Sequence, residues 1–499
     1  MYEPTWQSLA AHGLPEWLRE ARFGVWAHWG PQSVAQSGDW YGRHLYGMQE
    51  VSEEWERKRA TRQSAHHREH FGDPHTFGYK DLLPLWRAEH FDPDALIDRF
   101  YRAGARYFMS MAVHADNFAL WDSAVHPWNA VRMGPQQDIV GAWERAARRA
   151  GLPFGLSFHN NWTWRWFATA HGVGPDGKRH DGRLTAADGA GLWWEGLNPQ
   201  DLYLPPRDGG PAPAAVREQH WAMMREATAE YRPDIVYFDD LRMPFDEGSQ
   251  VEIGGPDTAG LEYLAWYYNQ AKTWDLPHAH GIVSIKNPHD AERGAVLLDS
   301  ERHQLDRLEP HVWQFDTSDG EWFDNLSDDE MFHQRKTSRH ILRTLVDVVS
   351  KNGALLLNIP QRADGTLDER SERLLDDLTA WMASASEAIH GTSPWRIYGE
   401  GPVRIDNTEP GYNDRELDYT PADLRFTTSD DALYVSALAW PDNGVLQVTS
   451  LAAGAAENVH SVELLGHGSV PWRRDHEGLH VTVPTSSPTP HVGVLKVRL

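Results

Sequence analysis

The chain contains no cysteine, which excludes disulfides and thiolate metal sites outright. It also lacks any run of ~18 uninterrupted apolar residues, the length a membrane-spanning helix needs. Basic residues are in deficit: 47 Lys and Arg stand against 72 Asp and Glu, a formal charge of −25. No basic stretch is long enough to follow a phosphate backbone, and the anionic surface disfavours acidic lipid. Neither nucleic acid nor a membrane is therefore an expected partner. No GxGxxG turn or P-loop follows the first apolar strand, which lowers the nucleotide-binding alternatives. The opening "MYEPTWQSLAAHGLPEWLRE" has no basic segment followed by an apolar run, so it does not read as a signal peptide. The expected compartment is the cytoplasm, or the periplasm or exterior for a chain from which a leader has been removed. The missing cysteine fits a reducing compartment without requiring one.

Tryptophan is present in unusual number, 24 in 499 residues. Large aromatic cores account for many indoles. Sugar sites account for others, because a flat ring packs on the apolar face of a pyranose while polar groups take its hydroxyls. The length exceeds what one ordinary core organises, so two domains are expected.

Up to residue 395, short apolar runs alternate with amphipathic stretches. "RFGVWAHWG" reads as a strand ending in His28, "RYFMSMAVHADNF" as one ending near His114, and "LPFGLSFHNNW" as one ending at His159. "PDIVYFDD" ends on Asp239 and Asp240, "AHGIVSIKN" on Lys286, "GAVLLDSER" on Glu301, and "ALLLNIP" closes the series. Between them, "DPDALIDRFYRAG" predicts a helix capped by Asp92, with Leu96, Ile97 and Phe100 on one face. Roughly seven such strands, near-continuously apolar, predict a parallel sheet buried on both faces and closed into a (β/α)8-like barrel over residues 1–395. Active sites of such barrels lie at the strands' C-terminal ends, where the histidines, Asp239, Lys286 and Glu301 recur. Two long segments, 31–85 with "GDWYGRHLY" and 165–212 with Trp193 and Trp194, are expected to overhang that mouth. Beyond residue 395, short β-rich runs separated by turn residues predict an antiparallel β-sandwich over 396–499.

A lone histidine in an apolar run is more often a hydrogen-bonded core residue than a functional one, and Asp239 alone could begin a turn. Together these groups supply two carboxylates among histidines, a lysine and aromatics, and glycosidic bond hydrolysis needs such a carboxylate pair. In a strand Ile235, Tyr237 and Asp239 share one face, so Asp239 is inward and Asp240 outward.

These segments, with "EWLREARFGVWAHWGPQSV", "VWQFDTSDGEWF", "DVVSKNGALLLNIPQRADGTL" and "EAIHGTSPW" in the same order, resemble the α-L-fucosidases of glycoside hydrolase family 29 over about residues 5–395. The resemblance implies a catalytic barrel followed by a β-sandwich and a retaining exo-hydrolase releasing α-L-fucose. It places the nucleophile on Asp239, in the pattern Pro-Asp-x-x-x-x-Asp, and the acid/base on Glu301, with Glu309 and Glu321 as competitors. It implies sugar contacts from His28, Trp29 and His114, from Trp40 and Tyr41 in "GDWYGRHLY", and from Trp322 against the deoxy-sugar methyl group. Against the family pattern, Ala115 replaces a second histidine, His159 stands in for a tyrosine, Tyr237 for a tryptophan and Lys286 for an arginine. A fucosylated oligosaccharide or related glycoside is the implied substrate, with no metal and no cofactor; a homo-oligomer is left open. The alternatives are the same mechanism on an α-L-galactoside, a non-catalytic sugar-binding homologue, or a metal-dependent hydrolase using His28, His114, His159 and Asp239. The last is disfavoured by the missing histidine-pair strand and His-Glu-x-x-His helix.

Overall fold

The computed structural model describes residues 1–499 except 48–52, 175, 207–211, 247–248, 250–257, 279, 327–334, 408–410 and 490. The apolar runs form eight parallel strands: β1 Phe23–Ala27, β2 Phe108–Val113, β3 Phe154–Phe158, β4 Ile235–Phe238, β5 Ile282–Ile285, β6 Leu297–Asp299, β7 Trp313–Ser318 and β8 Gly353–Asn358. Each pairs with the next, and β8 returns to β1 in the register Phe23↔Leu355, so the barrel is closed. The strands are buried almost throughout, as residues covered by side chains inside and helices outside must be.

Eight strands replace the expected seven, and β7 is the one the apolar criterion does not find. Its inward residues Gln314 and Asp316 are polar, which breaks the run. Gln314 is tolerated because the barrel interior pairs it: its Nε2 donates to Asp299 Oδ1 at 2.8 Å, and the Tyr107 hydroxyl donates to its Oε1 at 3.1 Å. Tyr107 fills the space that Gly24 on β1 leaves; a Cβ there would lie 2.4 Å from its ring. A side chain at position 24 would displace a ring that closes the bottom of the barrel.

Helices return the chain between strands. Asp92 caps Pro93–Arg102 by accepting from the Ala95 amide, and Ile97 and Phe100 are buried on its inner face. Helix Ile139–Arg149 is capped by Asp138 and stopped by Gly151 at φ +72°. Among the described residues no helix is long and apolar enough to cross a membrane.

The C-terminal strands are β9 Ser393–Glu400, β10 Leu424–Ser429, β11 Ala432–Ala437, β12 Val445–Val448, β13 Ser461–Leu464, β14 Gly468–Ser469, β15 Trp472–Asp475, β16 Gly478–Thr482 and β17 Gly493–Arg498. They form an antiparallel six-stranded sheet ordered β14-β13-β17-β11-β10-β9 and a three-stranded sheet ordered β12-β16-β15. Residue 395, where the sequence changes character, lies inside β9. The two sheets enclose a core that includes Trp395, Phe426, Val435 and Leu495, while Tyr434 and Val494 join the barrel's apolar cluster. A buried ion group ties the halves: Asp347, on the helix Ser338–Ser350 before β8, accepts from Arg425 of β10 and from Lys351, each at 2.5 Å. Here the barrel motif around Asp347 serves packing between the halves.

Candidate active site

The C-terminal ends of the barrel strands surround a pocket of about 590 Å³. A cavity of about 150 Å³ accepts a benzene ring, so this one has room for a pyranose and the start of its leaving group. His28 follows β1, His114 follows β2, His159 follows β3, Asp239 follows β4, Lys286 follows β5 and Glu301 lies just past β6, and all six line the pocket.

The two carboxylates are joined by one cation. Lys286 Nζ donates to Asp239 Oδ1 and to Glu301 Oε2, each at 2.5 Å. Those oxygens are therefore within two hydrogen-bond lengths of each other. The other Asp239 oxygen lies 3.1 Å from His159 Nδ1. Burial alone would push the Asp239 carboxyl up, but the Lys286 ammonium and His159 outweigh it and hold it well below the usual carboxylate range. Burial likewise opposes the charge on Lys286, and Asp239 and Glu301 reverse that and push it well up. Asp239 is thus an anion, and Lys286 a cation, across the physiological range.

Beneath them lie Asp316, which lines the pocket, and Asp299. Burial pushes Asp299 up to about 7, and burial with the charges of Asp299 and Glu301 pushes Asp316 well up. The neutral form of Asp316 is thereby favoured, which limits the negative charge around Lys286.

The histidines form the opposite wall. Burial, then His159 and His114, hold His28 well below the usual imidazole range, and burial does the same to His114. Both are neutral and each can donate and accept. Gln32 bonds His114 Nδ1 at 2.8 Å, whereas neither buried ring nitrogen of His28 has a hydrogen-bond partner among the described residues. An orphaned buried imidazole facing a pocket calls for a ligand that supplies its bonds. Asn358, at the end of β8, accepts from the His28 amide at 3.0 Å and donates to the Trp322 carbonyl at 2.8 Å. One side chain thereby sets both His28 and the Trp322 wall, whose rings lie 5.4 Å apart.

The three histidines also present nitrogens within 4.8 Å of one another, spacing that could suit a metal ion. However, His159 engages Asp239 through Nδ1 and Ser157 Oγ at 3.2 Å through Nε2. With both nitrogens committed, it is a poor third ligand, and the donor set does not fit a three-histidine metal centre.

Of the sequence candidates, Trp40, Tyr237 and Trp322 also line the pocket. Trp29 and Tyr41 do not, which corrects their expected sugar contacts. Strand alternation turns Trp29 away from His28: it is buried against Trp86 and Phe91, and its Nε1 donates to the Arg362 carbonyl at 2.9 Å. Tyr41 turns behind Trp40, with its hydroxyl 2.8 Å from His67 Nδ1. Glu309 is held by Arg293 at 2.7 Å and Glu321 by Arg59 at 2.5 Å, and neither lines the pocket. Asp240 is buried and accepts from Asn161 at 2.9 Å and Ser249 at 2.6 Å, so it organises the loop after β4.

The pocket has further members that strand ends do not reveal. The 31–85 segment contributes Asp39, Trp40, Trp55 and Arg59, the last two from helix Glu54–His70. Gly42 lets this segment approach the next overhanging loop, since a Cβ would meet Trp166 at 2.6 Å. Burial pushes Asp39 up to about 7. Trp193 and Trp194 take no part in the lining. The most distant contributor is Tyr412, from the connection between β9 and β10, whose hydroxyl donates to Glu301 Oε1 at 2.7 Å.

Known proteins share this arrangement. The α-L-fucosidase family model matches residues 1–387, and that of the α-L-fucosidase C-terminal domain matches 417–498. The chain is 25% identical to rat tissue α-L-fucosidase over 98% of this chain and 89% of that protein. It is 26% identical to human plasma α-L-fucosidase over 97% and 88%. Among solved structures, a Thermotoga maritima α-fucosidase in complex with a mechanism-based inhibitor superposes with a TM-score of 0.71 at 26% identity, covering 100% of both chains. The α-L-fucosidase isoenzyme 1 of Paenibacillus thiaminolyticus, at 18% identity and a TM-score of 0.63 over 97% of this chain and 98% of that one, shares the fold. With a family model covering the barrel and another the sandwich, this chain belongs to the α-L-fucosidases of glycoside hydrolase family 29 and is a glycosidase.

Proposed function

We propose that this chain is a retaining exo-α-L-fucosidase in which Asp239 is the nucleophile and Glu301 the acid/base. The observation that carries the reading is the single ammonium touching both carboxylates at 2.5 Å. Retaining glycosidases hold the pair about 5–5.5 Å apart, whereas inverting ones leave about 6.5–9.5 Å for a water. A pair within reach of one lysine belongs to the first class. Family membership and the pocket, closed below by the barrel, support removal of a terminal sugar.

In the first step Asp239 forms a bond to C1 as the C1–O bond to the leaving group breaks, and Glu301 gives its proton to that oxygen. In the second, water bonds to C1, the Asp239 ester bond breaks, and the water's proton returns to Glu301. One negative charge moves between the two carboxylates over the cycle. Lys286 is the counter-ion of whichever carries it, which stabilises the charge without reorganisation. The neutral His28 and His114 take sugar hydroxyls, and Trp322 supplies an apolar wall for a C6 methyl group.

Proton NMR of an aryl α-L-fucoside during hydrolysis should show α-L-fucose as the first-formed anomer. β-L-Fucose first would exclude the double displacement. An aryl α-L-galactoside run alongside decides the sugar: faster turnover of the galactoside would move the assignment to the 6-hydroxylated sugar with the mechanism intact. Chelation with EDTA is expected to leave both rates unchanged.

A further inference from the structure

We propose that Tyr412, carried to the barrel mouth by the connection between β9 and β10, is a positioning residue for the Glu301 carboxyl. This inference rests on Glu301 being the acid/base. The sandwich half then completes the machinery of the barrel half and is more than a packed appendage.

Glu301 follows β6 by two residues and has no strand to fix its side chain. Its two oxygens are instead held from opposite sides. Lys286 binds Oε2 from within the pocket, and the Tyr412 hydroxyl donates to Oε1. Tyr412 is 53% exposed, so this second anchor stands at the mouth, the side from which a leaving group departs. With only Lys286, the carboxyl could pivot about that one bond. With both, its plane is set.

The connection is built to hold that place. The Asn413 amide donates to the Arg302 carbonyl at 3.0 Å, and the Asn413 side chain takes both the Gln304 amide (2.6 Å) and carbonyl (3.0 Å). Asp414 accepts from Arg302 Nε at 2.9 Å, Thr317 Oγ1 at 2.8 Å and Lys336 Nζ at 3.0 Å. Arg302, the neighbour of Glu301, is buried and adopts φ +49°, a conformation non-glycine residues adopt only when their surroundings enforce it. Its guanidinium also lies 5.5 Å from the Tyr412 ring. Residues 301–304 and 411–414 therefore form one locked unit. β6 and β7 pair through Leu298↔Trp313 and Asp299↔Gln314, strand residues outside this unit.

The test is the dependence of the damage on the leaving group. Fluoride departs without a proton, whereas methanol or a sugar needs one, so misplacing the acid harms only the second kind. Tyr412→Phe removes the hydroxyl and keeps the ring. Its kcat/KM on methyl α-L-fucoside should fall about 10–100-fold, the scale of a catalytic group displaced by about 1 Å. The loss on α-L-fucosyl fluoride should be smaller by at least about tenfold. Asn413→Ala, which loosens the connection and leaves Tyr412 in place, should show the same pattern in weaker form. Equal losses on both substrates, or none on either, would overturn the proposal. Thermal melts of each variant identify a folding defect, which would lower both rates together and count as the first of those outcomes. Glu301→Gln measured in parallel separates the two levels. If its loss is also independent of leaving group, Glu301 is not the acid and the functional reading fails. If its loss is confined to methyl fucoside and that of Tyr412→Phe is not, only the positioning role fails.

Discussion

Asp239→Ala loses about 10⁴–10⁶-fold in kcat on an aryl α-L-fucoside, the scale seen when a nucleophile that forms a covalent intermediate is removed. Adding azide restores turnover, and the product is β-L-fucosyl azide, because the anion occupies the space of the lost carboxylate and attacks C1 from that face. The substitution leaves Lys286 paired with Glu301 at 2.5 Å, so the pocket keeps a counter-ion for its cation and the fold is retained. Kinetics with and without azide, plus NMR of the azide product, check the result. Activity within about tenfold of the parent would remove Asp239 from the chemistry.

Lys286→Met is expected to lower kcat about 10²–10³-fold, the usual cost of deleting one preorganised group that stabilises charge in a water-poor site. It also changes the pH profile. In the parent, burial raises the Asp239 carboxyl and the Lys286 ammonium more than cancels this, so Asp239 is ionised at every pH where the enzyme is assayed. Remove the ammonium and burial is opposed mainly by His159. The carboxyl then titrates at higher pH, and the acid limb of kcat/KM moves upward by at least about one unit, each unit being about 1.4 kcal/mol. Stability follows the same sign. A depressed carboxyl contributes stability that is present above its unfolded value of about 3.9 and lost as pH falls, and the methionine variant lacks that contribution. A pH-rate profile on α-L-fucosyl fluoride isolates Asp239 from the acid/base. Superimposable limbs for parent and variant would show that Lys286 does not govern the nucleophile.

The barrel and the centre of the pocket were legible because both follow from period. A strand covered on two faces must be apolar, and a polar residue where the run stops marks its C-terminal end. Thus His28, His114, His159, Asp239, Lys286 and Glu301 were found together. The same rule failed at β7, where the polar Gln314 and Asp316 face inward: Gln314 is paired with Asp299, and burial pushes the Asp316 carboxyl well up. It also could not separate His28 from Trp29, since adjacency in a motif hides that successive strand residues point to opposite faces. Trp40 and Tyr41, at the start of the short helix Tyr41–His44, also divide, one into the pocket and one toward His67. Tyr412 was beyond reach of such arguments. It sits in "GYND", a stretch with no periodicity, and its place depends on hydrogen bonds to residues more than one hundred positions away. Resemblance gave the family pattern for the barrel, which does not extend to that connection: the two family models leave residues 388–416 uncovered.

The most direct measurement of the central claim is covalent labelling with 2-deoxy-2-fluoro-α-L-fucosyl fluoride, followed by proteolysis and mass spectrometry. The fluorine at C2 slows both steps by destabilising positive charge at C1, while fluoride is a good enough leaving group for the first to proceed, so the ester accumulates. We expect time-dependent inactivation and a single adduct on the peptide containing Ile235–Asp240, with fragmentation placing the sugar on Asp239. An adduct on Asp240 or Glu301, or continued hydrolysis of an aryl α-L-fucoside with no adduct formed, would contradict the assignment of Asp239 as the nucleophile.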